Sequence, residues 1–163
     1  MSQFLLYVPL EPFVKQWLVT AFGDPVEFPS QSSLNCIIRD CLIKRRADIP
    51  PVDKQQGDVA IKIPTSRSKD PQVYNHMSKH GKECVCEGVE DLFKINMWTE
   101  LSQRFIQRQV KQMTVVRAWC EEHGIDIDYA DTIRQRYYRM QRQYENKGVK
   151  VEKNKRNHSD YLG

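Results

Sequence analysis

The sequence lacks several features that would assign a function at once. It has no run of about 18 apolar residues, so no transmembrane helix is predicted. Its N-terminus lacks the basic start and small-residue cleavage site of a secretory signal. The seven glycines are scattered and form no phosphate-binding loop, and neither H-E-x-x-H nor G-x-S-x-G occurs. We therefore expect a cytoplasmic protein without a membrane partner, and we predict no catalytic residue and no cofactor.

Cysteine is present but offers no pattern that is typical of disulfides. There are five, an odd number, in a chain of 163 residues that is long enough to bury a core without disulfides. Reduced thiols are the simplest interpretation. Cys36, Cys41 and Cys120 fall on predicted apolar faces and are expected to pack in the core. His123 follows Cys120 by three residues, but this spacing alone does not indicate a catalytic thiol.

The first part of the chain mixes strand and helix patterns. Residues 4–8 are apolar and predict a strand, and residues 57–64 alternate apolar Val59, Ile61 and Ile63 with Ala60 and Lys62. A helix is predicted from Pro12 to Phe22, ended by Gly23. A second helix follows the serines near residue 32 and buries a stripe formed by Leu34, Ile37, Ile38, Cys41 and Leu42.

The rest of the chain is predicted to be nearly all helix. The segments are residues 72–89, 93–109, 114–123 and 131–144, with Asp70-Pro71 starting the first and Gly124 ending the third. The fold class is therefore α+β: a small N-terminal part with two or three short strands and two helices, then a mostly helical half. We assign residues 1–69 to the first part, 70–146 to the helical part, and 147–163 to a flexible basic tail.

Positive charge is concentrated near the C-terminus. Between Tyr129 and Asn157 there are nine Lys or Arg residues and three acidic ones, a net charge of +6. Because the whole chain carries +4, the remainder sums to −2. A basic end on a near-neutral body favours a localised contact with a polyanion.

The segment 131–144 has the features of an amphipathic helix with a cationic outer face. Ile133, Tyr137, Met140 and Tyr144 fall on one stripe at i, i+4, i+7 and i+11, which predicts that they are buried. The other face carries Arg134, Gln135, Tyr138, Arg139, Gln141 and Arg142. Arg, Gln and Tyr side chains can donate hydrogen bonds to phosphates and base edges. An ordinary solvated helix face is the alternative.

The order of elements in residues 113–145 resembles the helix-turn-helix of DNA-binding regulators and mobile-element proteins: a short amphipathic helix, a glycine and a cationic helix. The resemblance covers about a fifth of the chain and rests on this layout rather than on a fingerprint. It implies that Arg134, Gln135 and Tyr138 contact bases, while Arg139 and Arg142 hold phosphates. Further contacts are expected from preceding helices, through Arg117, Lys111, Arg108 and Arg104.

The predicted function is non-enzymatic binding of duplex DNA, by a transcriptional regulator or a mobile-element accessory factor. A second copy of the chain is a further candidate partner, paired through the N-terminal part. An enzyme whose site is assembled from residues distant in sequence is one alternative, and two others concern the binding partner. The arginine face could meet an acidic protein, or the tyrosines at 129, 137, 138 and 144 could stack on RNA bases.

Three further features of the sequence could form contact sites. On one helix, His76, His80 and Cys84 would share a face as weak zinc ligands, but no fourth ligand is evident, so no metal site is predicted. The basic loop at residues 66–69 could add a phosphate contact. The tail could act as a non-specific electrostatic arm through Lys147, Lys150, Lys153, Lys155 and Arg156.

Overall fold

The computed structural model describes residues 4–50, 54–107 and 110–148. Within them the elements, in chain order, are β1 (Leu5–Pro9), α1 (Pro12–Phe22), α2 (Ser33–Cys41), β2 (Leu42–Ile43), β3 (Asp58–Lys62), β4 (His76–Met77), α3 (Lys79–Gln107), α4 (Gln112–Glu122), a 3-10 turn (Ile127–Tyr129) and α5 (Ala130–Asn146). This mostly helical arrangement with short antiparallel strands confirms the predicted α+β class. None of the helices in the described ranges combines the length and apolar character needed to cross a bilayer.

The chain divides into two compact units, Met1–Leu92 and Phe93–Gly163. Residue 69, where the sequence places the end of the first part, lies inside the first unit. Because α3 runs from Lys79 to Gln107, it supplies residues to both units.

Two small antiparallel sheets belong to the first unit. β1 pairs with β3, with Tyr7 opposite Ala60, and the two-residue strands β2 and β4 pair Leu42 with Met77. Along β3 the predicted alternation is only partly present, because Ala60 is buried together with Val59 and Ile61. Both faces of this strand are therefore covered.

The first two helices begin and end close to where local sequence signals predicted. Pro12 occupies the first turn of α1, and Gly23 ends it with φ of 89°, donating its N–H to the Val19 carbonyl. The Ser32 hydroxyl caps α2 by accepting from the Asn35 N–H at 3.2 Å.

The predicted helices at 72–89 and 93–109 are wrong in their bounds, because α3 is one helix that starts at Lys79. Asp70 does initiate a turn, accepting from the Gln72 N–H at 2.9 Å, but the chain then enters β4. Glycine weakens a helix interior, but Gly88 permits close packing here: a Cβ there would lie 3.1 Å from Ile37 Cδ1. The helix continues without a break through residues 90–92, so the two predicted segments form one helix.

The core of the second unit is built from three helices. α3 contributes Phe93, Met97, Leu101 and Phe105; α4 contributes Val115, Val116 and Trp119; α5 contributes Ile133 and Tyr137. The Tyr137 ring stacks on Trp98 at 4.8 Å and meets Phe105 edge-on at 4.9 Å. Its hydroxyl lies 2.9 Å from the Ser102 hydroxyl, and burial raises the pKa of the phenol. These contacts fix which side of α5 faces inward.

Polar contacts add to the attachment of α3 to α4. Glu100 accepts from Trp119 Nε1 at 2.5 Å, and His123 Nε2 lies 2.7 Å from the same carboxylate oxygen. Arg104 donates to Glu122 through both terminal nitrogens of its guanidinium, with Nη1 at 3.2 Å from Oε1. Arg104 therefore connects two helices, and its guanidinium is engaged by Glu122.

Candidate nucleic-acid interface

α5 presents two distinct sides. Ala130, Ile133, Tyr137 and Gln141 are buried, at spacings of three and four residues that define one side of a helix. The buried stripe was predicted correctly for Ile133 and Tyr137. Gln141, which was assigned to the outer face, is only 7% exposed, whereas Tyr144 of the predicted stripe is 39% exposed. Near the C-terminus the buried side therefore includes position 141, and Tyr144 lies at its exposed edge.

Five of the six residues predicted to bind nucleic acid lie together on the outer side of α5. A surface pocket of about 270 Å³ is lined by Arg134, Gln135, Tyr138, Arg139 and Arg142. We call it the α5 pocket. The sixth residue, Arg117, is exposed on α4 but does not line this pocket.

Arg134 and Gln135 share one acceptor from their own helix. Arg134 donates to Asp131 Oδ1 from Nε at 3.2 Å and from Nη2 at 2.9 Å. Gln135 Nε2 donates to Asp131 Oδ2 at 3.0 Å. Both carboxylate oxygens of Asp131 thus accept hydrogen bonds from pocket residues. Some of the N–H groups of Arg134 and Gln135 that were expected to contact bases are therefore already engaged.

Tyr138 is held by a residue of the neighbouring helix. Its hydroxyl donates to Gln112 Oε1, and Gln112 is buried at the start of α4. The Arg134 guanidinium carbon stands 6.0 Å from the centre of the Tyr138 ring, at the outer limit of a cation–π contact. The ring therefore forms a wall of the pocket, and its hydroxyl joins α4 to α5.

Arg139 and Arg142 are the cations with the most freedom in the α5 pocket. Both are exposed, and within the described residues neither makes an ion pair or a hydrogen bond. They are three residues apart, so their side chains emerge about one helical turn from each other. Two guanidinium groups one turn apart can donate to successive acceptors on an extended anion.

The additional basic residues named from the sequence that the structure describes do not line the α5 pocket. In the loop 66–69, Lys69 Nζ donates to the carbonyls of Arg39 at 2.5 Å and Leu42 at 2.9 Å, which completes the C-terminal end of α2. Lys111 is exposed just before α4. Lys147 is exposed at the end of α5. Arg108 and the tail residues Lys150, Lys153, Lys155 and Arg156 lie outside the described residues.

The tyrosines proposed for base stacking are partly occupied. Tyr137 is 1% exposed, and Tyr144 packs against Trp98 with ring centres 4.8 Å apart. These two rings are therefore part of the hydrophobic contact between α3 and α5 rather than a free platform.

The weak zinc candidates do not share a helix as predicted. His76 lies in β4, whereas His80 and Cys84 lie in the first turns of α3 with His80 Nε2 3.8 Å from Cys84 Sγ. Among the described residues no three His, Cys, Asp or Glu side chains come together in a way that could hold a metal ion.

Of the three thiols expected in the core, Cys120 is buried and Cys41 is partly buried, but Cys36 is exposed, so the prediction is wrong for Cys36. Cys120 and the partly buried Cys86 are poorly suited to nucleophilic chemistry. Burial raises the pKa of Cys120 to about 11, with a smaller contribution from Glu121. Burial, followed by the charge of Glu90, raises the pKa of Cys86 to about 11. The fraction of reactive thiolate at neutral pH is correspondingly small. His123, which follows Cys120, contacts Glu100 as described above.

No family model, curated protein or solved structure matches this chain. Its function must therefore be inferred from the chemistry of its own residues.

Proposed function

We propose that this chain is a non-enzymatic DNA-binding protein that contacts duplex DNA with the α5 pocket. One observation carries the proposal: the five outer residues of α5 that sequence chemistry assigned to nucleic acid line a single pocket, in which Arg139 and Arg142 are exposed and, within the described residues, unpaired. A regulator or a mobile-element accessory factor remains our expectation for its biological role.

The chemistry of the pocket favours phosphate over bases as the primary contact. Guanidinium groups donate paired hydrogen bonds to phosphate oxygens, and every nucleotide offers the same acceptors. The two side chains best suited to reading bases, Gln135 and Tyr138, already donate to Asp131 and Gln112. We therefore propose binding with weak sequence preference and strong dependence on salt.

Arg139 and Arg142 give the direct test. Replacing both by glutamine removes two positive charges but keeps long polar side chains that suit a helix. Each neutralised phosphate contributes about −0.9 to the slope of log affinity against log salt. At 0.1 M salt, one such contact therefore raises the affinity about eightfold relative to 1 M salt. The double variant should therefore lose roughly 50-fold in affinity at 0.1 M salt, and its slope should be shallower by about 1.8.

The measurement is fluorescence anisotropy of a labelled random duplex titrated at several salt concentrations. Arg46→Gln combined with Lys54→Gln is the matched control, because both residues are exposed, carry the same total charge and lie outside the α5 pocket. Equal loss in the two double variants would reduce the effect to net charge and contradict the proposal.

Competition separates the alternatives. Single-stranded RNA that displaces duplex at equal or lower concentration would favour an RNA-binding function. The absence of a salt-sensitive duplex complex at micromolar protein would end the DNA proposal and favour an acidic protein partner.

A further inference from the structure

Asp131 occupies an unusual place for an acidic residue next to a cationic surface. It lies in the first turn of α5, where negative charge is favoured by the helix dipole. Tyr129, the residue that precedes the helix, makes no side-chain cap hydrogen bond. Asp131 is not a cap either, because its two oxygens accept from the side chains of Arg134 and Gln135.

The carboxylate satisfies the same donors that a phosphate would need. A carboxylate and a phosphate both present paired anionic oxygens to a guanidinium, and the hydrogen-bond lengths to Arg134 and Gln135 of 2.9 to 3.2 Å are those of a formed anion contact. The Arg134 side chain is 31% exposed and that of Asp131 is 57% exposed. Solvent reaches this ion pair, so it can exchange partners without opening the core.

We propose that Asp131 is an intramolecular competitor for polyanion at the α5 pocket. In the free protein it holds Arg134 and Gln135, while Arg139 and Arg142 make the first contact with phosphate. A phosphate that reaches Arg134 has to displace Asp131 and approach its negative charge. Asp131 thereby lowers affinity and limits the number of phosphates that the pocket neutralises. This inference rests on the proposed function and adds a means by which affinity is set.

Replacing Asp131 by asparagine tests the inference, because it removes the charge and keeps the size of the side chain. Arg134 then loses its negatively charged partner and a phosphate no longer meets the charge of Asp131, so duplex affinity should rise roughly five- to tenfold at 0.1 M salt. The slope of log affinity against log salt should become steeper by about 0.9, one additional phosphate. A role of Asp131 in helix stability alone would leave this slope unchanged.

Two further variants make the experiment specific. Asp128→Asn is the matched control, since Asp128 is an exposed acid in the turn just before α5 and does not line the α5 pocket. Asp131→Asn combined with Arg134→Gln should lose the gain in affinity and the added slope, because the guanidinium that would contact the additional phosphate is absent.

The outcomes separate this inference from the proposed function. Tighter, more salt-dependent binding by Asp131→Asn, with Asp128→Asn close to the wild type, supports the competitor role. Duplex binding by the wild type with no gain and no change of slope in Asp131→Asn overturns the competitor role and leaves the proposed function intact. A failure of both proteins to bind duplex at micromolar concentration overturns both.

Discussion

Replacing Tyr137 by alanine should cost more stability than any change on the outer side of α5. The side chain is 1% exposed, its ring contacts Trp98 and Phe105, and its hydroxyl is paired with Ser102. Loss of a fully buried aromatic ring typically destabilises by about 3 to 5 kcal/mol, which is a large share of the roughly 5 to 15 kcal/mol that stabilises most folded proteins. We expect Tyr137→Ala to fall in this range.

Tyr137→Phe separates the hydroxyl from the ring. It keeps the two aromatic contacts and removes one partly buried hydrogen bond, so the expected loss is about 0.5 to 1.5 kcal/mol. For a protein of this size that corresponds to a fall in melting temperature of roughly 1 to 6 °C. Tyr144→Phe is the control, because its ring also packs on Trp98 but its side chain is far more exposed, and a change within about 0.5 kcal/mol is expected.

Urea unfolding, followed by tryptophan fluorescence and by circular dichroism, gives the free energy of unfolding of both Tyr137 variants. Fluorescence is informative because Trp98 lies against the altered ring. A Tyr137→Ala protein within about 1 kcal/mol of the wild type would refute the reasoning. It would mean that Tyr137 does not hold α5 against α3, and the orientation assigned to the α5 pocket would lose its basis.

Three other predictions concern the first unit and the thiols. Gly23→Ala should destabilise the protein by roughly 1 to 3 kcal/mol in thermal or urea unfolding, because φ of 89° with ψ of 179° is a conformation open essentially only to glycine; an unchanged midpoint would contradict it. At pH 8, iodoacetamide should modify the exposed Cys36 well before Cys86 and Cys120, whose pKa values are raised to about 11, and mass spectrometry of the peptides would reveal any other order. The same raised pKa values mean that the unfolded chain, with thiol pKa values near 9.0, binds fewer protons above pH 9 than the folded one, so stability should fall as pH rises from about 9 to 11 in a series of urea unfolding curves.

Local signals in the sequence were sufficient to predict a single helix, its ends and its buried side. Pro12 and Gly23 bound α1 as predicted, and the spacing of Ile133 and Tyr137 identified the buried side of α5. Such features depend on backbone preferences and on periodicity within a few turns. The grouping of the five α5 pocket residues follows from the same periodicity.

Features that depend on distant residues could not be predicted in this way. The pairing of β2 with β4 joins residues more than 30 positions apart, and the bond from Tyr138 to Gln112 depends on how α4 packs on α5. The continuity of α3 through Gly88 reflects its packing against α2, which overrides the local cost of glycine.

One contact in the α5 pocket was within reach of the sequence and was missed. Asp131 precedes Arg134 by three residues and Gln135 by four, the spacings at which side chains meet on a helix. In the charge count from Tyr129 to Asn157, Asp131 enters only as one of three acidic residues. The i, i+3 and i, i+4 rule would have predicted that two of the proposed base contacts were already engaged.

The way Tyr137 is enclosed has a consequence for how this surface tolerates change. Its ring sets the angle of α5 about the helix axis, and each residue added to a helix turns everything beyond it by about 100°. Substitutions at positions 139 and 142 leave that angle unchanged. Insertion of a single residue directly after Tyr137 would instead swing both guanidinium groups away from Arg134, splitting the cationic surface while its composition stayed the same.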